Sequence, residues 1–294
     1  MFRRLLVPLD GSKVAESVLP YVEEITAKFG AEIILVSVYE STAVDMGQIC
    51  RSYLDQIAEQ VEHRLREWGA PKEARVTNQV LAGKPADEIL RYADEHSVDL
   101  IALSSHGAGK GPWAMGNIAW KILQVADKPV LLIRAPADSA ALEQKRLLKR
   151  ILLPLDGSEI GGAVIPHIEV LARALGAEVI LFHVLEIPSV GVLAPGIEIA
   201  YRTSTLESEK RIHLAYLDNV EKRLKKMGLS TSIVDNIGLA ADEIINYAEK
   251  NAVDLIAMST HGRSGIGRWV FGSVTQKVLH VGNSAVLTVR AKKA

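Results

Sequence analysis

The sequence contains a single cysteine, Cys50, so no disulfide can form within the chain. Disulfides are typical of oxidising compartments, and their exclusion here favours a reducing, cytoplasmic location. Aromatic residues make up only 5% of the chain. The hydrophobic core is therefore expected to consist mainly of aliphatic side chains.

Long hydrophobic runs are also missing. A membrane-spanning helix needs about 18 or more consecutive apolar residues, and no segment approaches that length. The apolar run at the start of the sequence is interrupted by Pro8 and Asp10, which leaves it too short for the core of a signal peptide. We therefore expect no membrane partner.

Neither sign of charge is in marked excess. Lys and Arg total 34, Asp and Glu total 35, and the net charge is -1. A global positive field that would attract nucleic acid is thus excluded, and no nucleic-acid partner is expected. The 48% hydrophobic and 23% charged residues are typical of a globular protein, and 294 residues are enough for about two domains.

The chain contains two copies of one sequence unit. Residues 4–40 and 150–186 align without a gap and are identical at 17 of 37 positions. Residues 98–107 and 253–262 are identical at 8 of 10 positions. Units of this length are whole domains rather than solenoid repeats. The sequence therefore predicts a domain over residues 1–137, a linker over 138–149 and a second domain over 150–294.

Each copy alternates short strands with helices. The strands are continuous aliphatic runs, which indicates burial on both faces and hence a parallel sheet covered by helices. Apolar residues at helical spacing predict helices over 14–28, 53–68, 160–175 and 205–227, among others. The predicted fold class is α/β, with two tandem copies of a doubly wound, five-stranded, mostly parallel sheet and helices on both faces.

Polar residues follow the first predicted strand of each copy. Ligands of such sheets bind at the carboxyl ends of the strands, where Asp10 and Asp156 are placed. Each Asp is interpreted in one of two ways. It either binds a ribose hydroxyl or a metal, or it is the acid of an Asx turn before a helix.

A glycine-rich loop follows the fourth strand of the second copy. Gly262 and Gly265 leave backbone N–H groups open, and Gly272 precedes a helix whose N-terminus attracts anions. Ser273 and Thr275 add hydroxyl groups. The loop is interpreted as a phosphate cradle, and the alternative is a tight turn in which Ser273 caps the helix.

Sequence patterns for catalysis are missing from these loops. His106 and His261 precede the loop glycines without the Cys or acidic neighbours of a zinc site, and they are interpreted as turn residues. The Gly-Lys-Ser or Gly-Lys-Thr of a P-loop does not occur, and no dinucleotide fingerprint follows the first strand. We predict no catalytic residue.

The two copies resemble the universal stress protein family in its tandem two-domain form. The Pro-Leu-Asp-Gly-Ser segment at the first strand is similar to a motif of that family. The ATP-binding pattern of the family is Gly, two residues, Gly, nine residues, Gly, then Ser or Thr. The second copy matches this pattern from Gly262 to Ser273, with Ser259 in place of the first Gly.

The first copy departs further from the pattern. Only eight residues separate Gly107 from Gly116, and Asn117 replaces the Ser or Thr. Ala119 stands where the second copy has Thr275. The resemblance therefore implies ligand binding mainly in the second copy.

The resemblance implies a fold of the adenine-nucleotide-binding α/β type, with ATP or AMP as the ligand and Mg²⁺ accompanying ATP. It places the adenine partly on the backbone of Val184, the ribose near Asp156 and the phosphates on the loop and the helix start. The expected binding residues of the second domain are Pro154, Asp156, Val184, Ser259, Gly262, Gly265, Gly272, Ser273, Val274 and Thr275. Those of the first domain are Pro8, Asp10, Val38, Gly107, Gly109, Gly116 and Asn117.

The resemblance also implies that the two domains pair through their fifth strands, and that two chains form a homodimer. The second copy carries an apolar insertion over residues 187–203. It is interpreted as a lid over the second site, a partner surface or a packed loop.

Three functions stay open. The leading one is a cytoplasmic stress-response regulator that binds ATP or AMP mainly in the second domain, with at most slow hydrolysis. The second is a slow ATPase or another hydrolase or ligase of the adenine-nucleotide-binding group, although the sequence lacks an acid–base pair and the Ser-Gly-Gly motif. The third is an interaction or scaffold module that binds no nucleotide, for which the first copy is the better candidate.

Overall fold

The computed structural model describes residues 1–40, 44–107, 115–134, 146–186, 195–262 and 271–291. The first half consists of β1 (Arg4–Pro8), α1 (Lys13–Glu16), α2 (Leu19–Phe29), β2 (Glu32–Tyr39), α3 (Val44–Glu67), β3 (Arg75–Ala82), α4 (Pro85–Glu95), β4 (Leu100–Ser104), α5 (Asn117–Val125) and β5 (Val130–Ile133). The second half consists of β6 (Arg150–Pro154), a 3-10 turn (Gly161–Val164), α6 (Ile165–Leu175), β7 (Glu178–Leu185), α7 (Pro195–Lys226), β8 (Thr231–Ile237), α8 (Ala240–Lys250), β9 (Leu255–Ser259), α9 (Ser273–Val281) and β10 (Ala285–Val289).

The strands form one ten-stranded sheet in the order β3-β2-β1-β4-β5-β10-β9-β6-β7-β8. Neighbouring strands within each half are parallel. At the centre of the sheet β5 and β10 pair antiparallel, with Leu131 opposite Leu287 and Leu132 opposite Val286. The predicted class, an α/β fold with a five-stranded parallel sheet in each copy, is confirmed.

Helices cover both faces of the sheet. Successive side chains of a strand point to opposite faces, so Leu5 and Val7 of β1 join one hydrophobic layer and Leu6 joins the other. The first layer packs against α2, α3, α6 and α7, and the second packs against α4, α5, α8 and α9. Both layers continue through both halves. None of the described helices is long and apolar enough to cross a bilayer.

Two arginines make reciprocal contacts across the junction of the halves. Arg134 follows β5 and donates through Nη2 to the carbonyl of Leu279 in the last turn of α9. Arg290 follows β10 and donates through Nη2 to the carbonyl of Gln124 in the last turn of α5. Each half thus binds the carbonyl end of a helix that belongs to the other half.

The chain enters the second half along the surface of the first. The Glu24 carboxylate on α2 accepts hydrogen bonds from the N–H groups of Leu147 and Leu148 at 2.8 and 3.0 Å. The Leu148 side chain is fully buried. The last residues before β6 are therefore docked onto the first half.

Two helices predicted as continuous are interrupted. The predicted helix over 14–28 is divided into α1 and α2, and the predicted helix over 160–175 begins as a 3-10 turn before α6. Pro20 and Pro166 lie in the first turns of α2 and α6. Proline has no N–H to donate and favours the first turn of a helix, so a new helix begins at each position.

Two other helices begin earlier than predicted. Helix α3 starts at Val44 rather than 53. Its first two turns are largely exposed, and the first fully buried residue of the helix is Leu54. Helix α7 starts at Pro195 rather than 205, again with proline at the first position. The insertion over 187–203 therefore enters α7 from Pro195 onward, and residues 187–194 lie outside the described residues.

A buried carboxylate ties α2 to α3. Glu23 is fully buried and receives hydrogen bonds from Arg64, Nε to Oε2 at 2.9 Å and Nη2 to Oε1 at 2.6 Å. Burial raises the pKa of Glu23, and the Arg64 guanidinium opposes that rise. The folded protein therefore depends on Arg64 whenever Glu23 is ionised.

We expect Arg64→Met to lower the free energy of unfolding by about 3 kcal/mol at pH 7.5, because it leaves a buried carboxylate unpaired. The loss should shrink at pH 5.0, since a raised pKa lets folded Glu23 take up a proton before the unfolded chain does. Urea unfolding at both pH values measures the two losses. Arg91→Met, which removes an exposed pair with Glu88, is the control. Equal losses for Arg64→Met at both pH values would contradict this account.

Candidate functional site

A cavity lies at the carboxyl end of the sheet in each half. The cavity of the first half has a volume of about 460 Å³, and that of the second half about 320 Å³. Each is bounded by the end of the first strand of its half, the end of the second strand, and the loop and helix start that follow the fourth strand. This is the position that the parallel topology predicts for a ligand.

The second cavity gathers nine of the ten residues predicted for it. They are Pro154, Asp156, Val184, Ser259, Gly262, Gly272, Ser273, Val274 and Thr275, and the tenth, Gly265, lies outside the described residues. The first cavity gathers Pro8, Asp10, Val38, Gly107, Gly116 and Asn117, and Gly109 lies outside the described residues.

One carboxylate oxygen of Asp156 organises the turn after β6. Oδ1 accepts hydrogen bonds from the N–H of Ser158 at 2.9 Å and from its hydroxyl at 2.7 Å. The Ser158 hydroxyl in turn accepts from the N–H of Gly161 at 2.9 Å. Asp10 and Ser12 repeat the same turn after β1. The Asx-turn interpretation therefore holds for one oxygen of each carboxylate.

The second carboxylate oxygen of each Asp occupies the space that a side chain at a loop glycine would need. A Cβ atom at Gly262 would collide with Oδ2 of Asp156, and one at Gly107 would collide with Oδ2 of Asp10. Strands β6 and β9 are neighbours, as are β1 and β4, so their carboxyl ends bring carboxylate and loop together. A side chain at either glycine would therefore force the Asp carboxylate to move.

The N-terminus of α9 opens into the second cavity. Gly272 is the capping residue, its N–H donates to the carbonyl of Thr260 at 2.9 Å, and no side chain caps the helix. The alternative in which Ser273 caps the helix is therefore wrong, because Ser273 is already the first helical residue. The first three N–H groups of α9 belong to Ser273, Val274 and Thr275, which line the cavity. Such groups have no partner within the helix and suit an anion.

The hydroxyl groups differ between the two cavities. Thr275 uses its hydroxyl hydrogen in a 3.0 Å bond to the carbonyl of Ser259, so this hydroxyl cannot donate to a ligand. The Ser259 side chain is buried, and its hydroxyl has no hydrogen-bond partner among the described residues. In the first half the matching hydroxyl, Ser104, donates to the carbonyl of His106 at 3.0 Å. The second cavity thus keeps a hydroxyl that the first uses internally.

The loop histidines are anchored by the residue before them. Nδ1 of His261 lies 2.9 Å from the Thr260 hydroxyl, and Nδ1 of His106 lies 3.0 Å from the Ser105 hydroxyl. Burial, and to a lesser extent Arg134, lowers the pKa of His106. Both histidines sit at the turn that the sequence predicts for them. No group of three or more His, Cys, Asp or Glu side chains that could hold a metal occurs within the described ranges.

A polar wall beside the second cavity was not predicted from the sequence. His183 on β7 places Nδ1 2.9 Å from Oδ1 of Asp235 on β8, and Lys210 Nζ lies 3.5 Å from the other oxygen. The ring centroids of His183 and His213 are 4.4 Å apart. Both imidazoles and Glu209 of α7 line the cavity.

The corresponding positions of the first half carry different residues. His183 faces Asp235 in the β7–β8 register, as Ser37 faces Val80 in the β2–β3 register. The sequence does show a histidine and an aspartate in two strands of the second half whose counterparts in the first half carry serine and valine. A single chain does not reveal which strand positions are neighbours, so the pair could not be recognised before the register was known.

We expect Gly262→Ala to lower the free energy of unfolding by about 1–3 kcal/mol, because the added methyl group meets Oδ2 of Asp156. Asp156→Ala removes that obstacle, so the double variant should lose less than the sum of the two single variants. Chemical denaturation of the four proteins without added ligand measures the coupling. Strictly additive losses would rule out the contact.

We expect acidification to destabilise the wild-type protein more than it destabilises the His106→Gln variant. A histidine with a lowered folded-state pKa binds its proton more readily in the unfolded chain, so stability is lost as pH falls through about 6.5 towards the folded pKa. Urea midpoints of both proteins at pH 7.5 and 5.0 provide the comparison. A difference between them that stays constant with pH would contradict the expectation.

Comparison with known proteins gives one consistent family. A model of the universal stress protein family matches residues 1–134 and residues 148–290. Universal stress protein MJ0577 of Methanocaldococcus jannaschii is 28% identical over 159 residues, which cover 50% of this chain and 98% of that protein. Universal stress protein MJ0531 of the same organism is 31% identical over 151 residues, covering 51% of this chain and 86% of that protein.

A solved structure has the same fold over the full length. The crystal structure of a universal stress protein from Archaeoglobus fulgidus superposes with a TM-score of 0.67 and covers 99% of both chains. Its sequence is 18% identical to this one, so the similarity concerns the fold.

Proposed function

The chain belongs to the universal stress protein family, and from that premise we propose that its second half binds an adenine nucleotide, ATP or AMP, as a stress-response regulator. The observation that carries the proposal is the convergence of the α9 N-terminus, two loop glycines and the Asp156 carboxylate on one cavity. Unpaired N–H groups at a helix N-terminus suit phosphate oxygens. A carboxylate beside them suits the hydroxyls of a ribose.

The rest of the second cavity suits a purine base. Phe182, Val184, Ile244 and Met258 line it with apolar side chains, next to the end of β7. Ligand pockets are usually apolar with a few placed polar groups, and a flat base needs such a slot. We propose that the base lies there, with the phosphates on Ser273 and its neighbours.

The first half is proposed to bind nucleotide weakly or not at all. Its helix α5 begins with Asn117, and Ala119 stands where Thr275 stands in α9. The Ser104 hydroxyl is already engaged with a backbone carbonyl. The larger apolar cavity of this half favours an interaction or scaffold role for it, which is our second candidate function.

We propose at most slow hydrolysis. A fast ATPase needs a base that activates water, and one oxygen of the Asp156 carboxylate in this cavity is engaged by Ser158. Mg²⁺ is expected to arrive with ATP, since it is held mainly by phosphates, water and one or two carboxylates. Asp156 is the residue that would face it.

Several finer expectations remain part of the proposal. They are a cytoplasmic location, a homodimer of two chains, and domain boundaries at 1–137 and 150–294 with a linker over 138–149. The antiparallel β5–β10 pair supports the idea that one chain pairs its own two domains.

We expect Ser273→Asp to weaken ATP binding by about 100-fold, because a negative charge at the first residue of α9 repels phosphate. The same charge is favourable for a helix N-terminus, so folding should be preserved. Isothermal titration of purified protein with ATP and with AMP gives affinity and stoichiometry.

Asn117→Asp is the matched control, since Asn117 is the first residue of α5. It should leave about one nucleotide bound per chain. Two nucleotides per wild-type chain, with one lost in each variant, would refute the assignment to the second half. No binding of either nucleotide to the wild-type chain would refute nucleotide binding and favour the interaction module.

A further inference from the structure

A tryptophan of the first half packs on Phe271, the residue just before Gly272 of the second cavity. The Trp120 ring on α5 lies 5.4 Å from the ring of Phe271 and 4.7 Å from that of His280, measured between centroids. Phe271 is buried, and Trp120 is partly buried against the same hydrophobic layer. The contact therefore links the two halves through aromatic side chains.

Phe271 lies where the chain enters helix α9. It directly precedes Gly272, whose N–H bonds to the Thr260 carbonyl and whose carbonyl receives the N–H of Gln276 in α9. The position of Phe271 therefore helps to fix where the chain enters α9. The N–H groups proposed to hold phosphate follow immediately.

The first half also binds the other end of the same helix. Arg134 donates to the carbonyl of Leu279, and His280 beside it packs on Trp120. The Arg134 side chain is partly buried where it meets the helix end. Helix α9 is thus held from the first half at its start, through Phe271, and at its end.

The aromatic contact is not repeated in the opposite direction. When α5 and α9 are matched at Gly116 and Gly272, Trp120 corresponds to Gln276, and Phe271 corresponds to Met115. The arginine contacts are reciprocal, but the aromatic pair exists on one side only. Support through this pair runs from the first half to the second cavity.

We propose that Trp120 is a positioning residue of the second site, so that full nucleotide affinity in the second half depends on a side chain of the first. This inference rests on the proposed function. Trp120 acts through Phe271, which it holds against the start of α9, and it needs no contact with the ligand. The first half is thereby an integral part of the second site.

The test is ATP titration of Trp120→Ala, with Trp120→Phe as the conservative variant. An aromatic pair contributes enough that its loss should weaken ATP binding by about tenfold, with the stoichiometry unchanged. Trp120→Phe keeps a ring at the position and should retain most of the affinity. Trp68→Ala is the matched control, because Trp68 belongs to the first half and lines neither described cavity.

A double-variant cycle with Phe271→Leu separates positioning from general loss of stability. If Trp120 acts through Phe271, the effects of Trp120→Ala and Phe271→Leu on ATP affinity should not add, whereas the effects of Trp68→Ala and Phe271→Leu should add. Trp120→Leu replaces Trp120→Ala if the latter does not fold.

A fluorescence measurement gives an independent readout. In a chain whose only tryptophan is Trp120, with Trp68, Trp113 and Trp269 changed to Phe, ATP should alter the emission. Ser273→Asp in that chain should abolish the change, and Asn117→Asp should not.

The outcomes are distinguishable. Binding of ATP to the wild-type chain that Trp120→Ala leaves unchanged overturns this inference alone. The same holds if Trp68→Ala weakens binding equally. Absence of ATP binding to the wild-type chain overturns the proposed function and this inference with it.

Discussion

The antiparallel pairing of β5 with β10 is the interaction on which the rest of the structure depends. Each strand would otherwise be an exposed, apolar edge, which is a site for unwanted association. Once they pair, two five-stranded sheets become one, and the hydrophobic layers on both faces continue from half to half. Arg134 and Arg290 then bind helix ends that lie across the junction.

A second constraint operates at the ends of the parallel strands. Strands β6 and β9 are neighbours, so the turn after one and the loop after the other must share a small space. Asp156 fills that space with a carboxylate, and Gly262 leaves room for it. The first residues of α9 line the cavity next to this carboxylate, and no side chain caps the helix. The same arrangement in the first half, with Asp10 and Gly107, shows that it belongs to the fold itself, while ligand preference depends on the residues placed around it.

Much of this could be predicted from the sequence. The internal repeat and the alternation of aliphatic runs with helical spacing predict the α/β class, and the rule for parallel sheets predicts where the cavities lie. Proline in the first turns of α2 and α6 is a local signal for a new helix start, which apolar spacing alone does not reveal. Ahead of Tyr53, the start of α3 does carry apolar residues at helical spacing, Met46 and Ile49, which the predicted bounds leave out.

The wall made by His183, His213 and Asp235 depends on strand register and on the packing of α7. Neither is visible in a single sequence. The contact of Trp120 with Phe271 likewise depends on the junction between the halves, which brings together residues 151 positions apart in the sequence.

The antiparallel junction also determines the directions in which the two cavities open. Because every other pair is parallel, all strands of one half run opposite to all strands of the other. The two cavities, each at carboxyl ends, consequently open at opposite rims of a single sheet. A macromolecule bound over one cavity therefore leaves the other uncovered. One chain thus has two separate binding surfaces, and its duplicated halves can diverge towards different ligands.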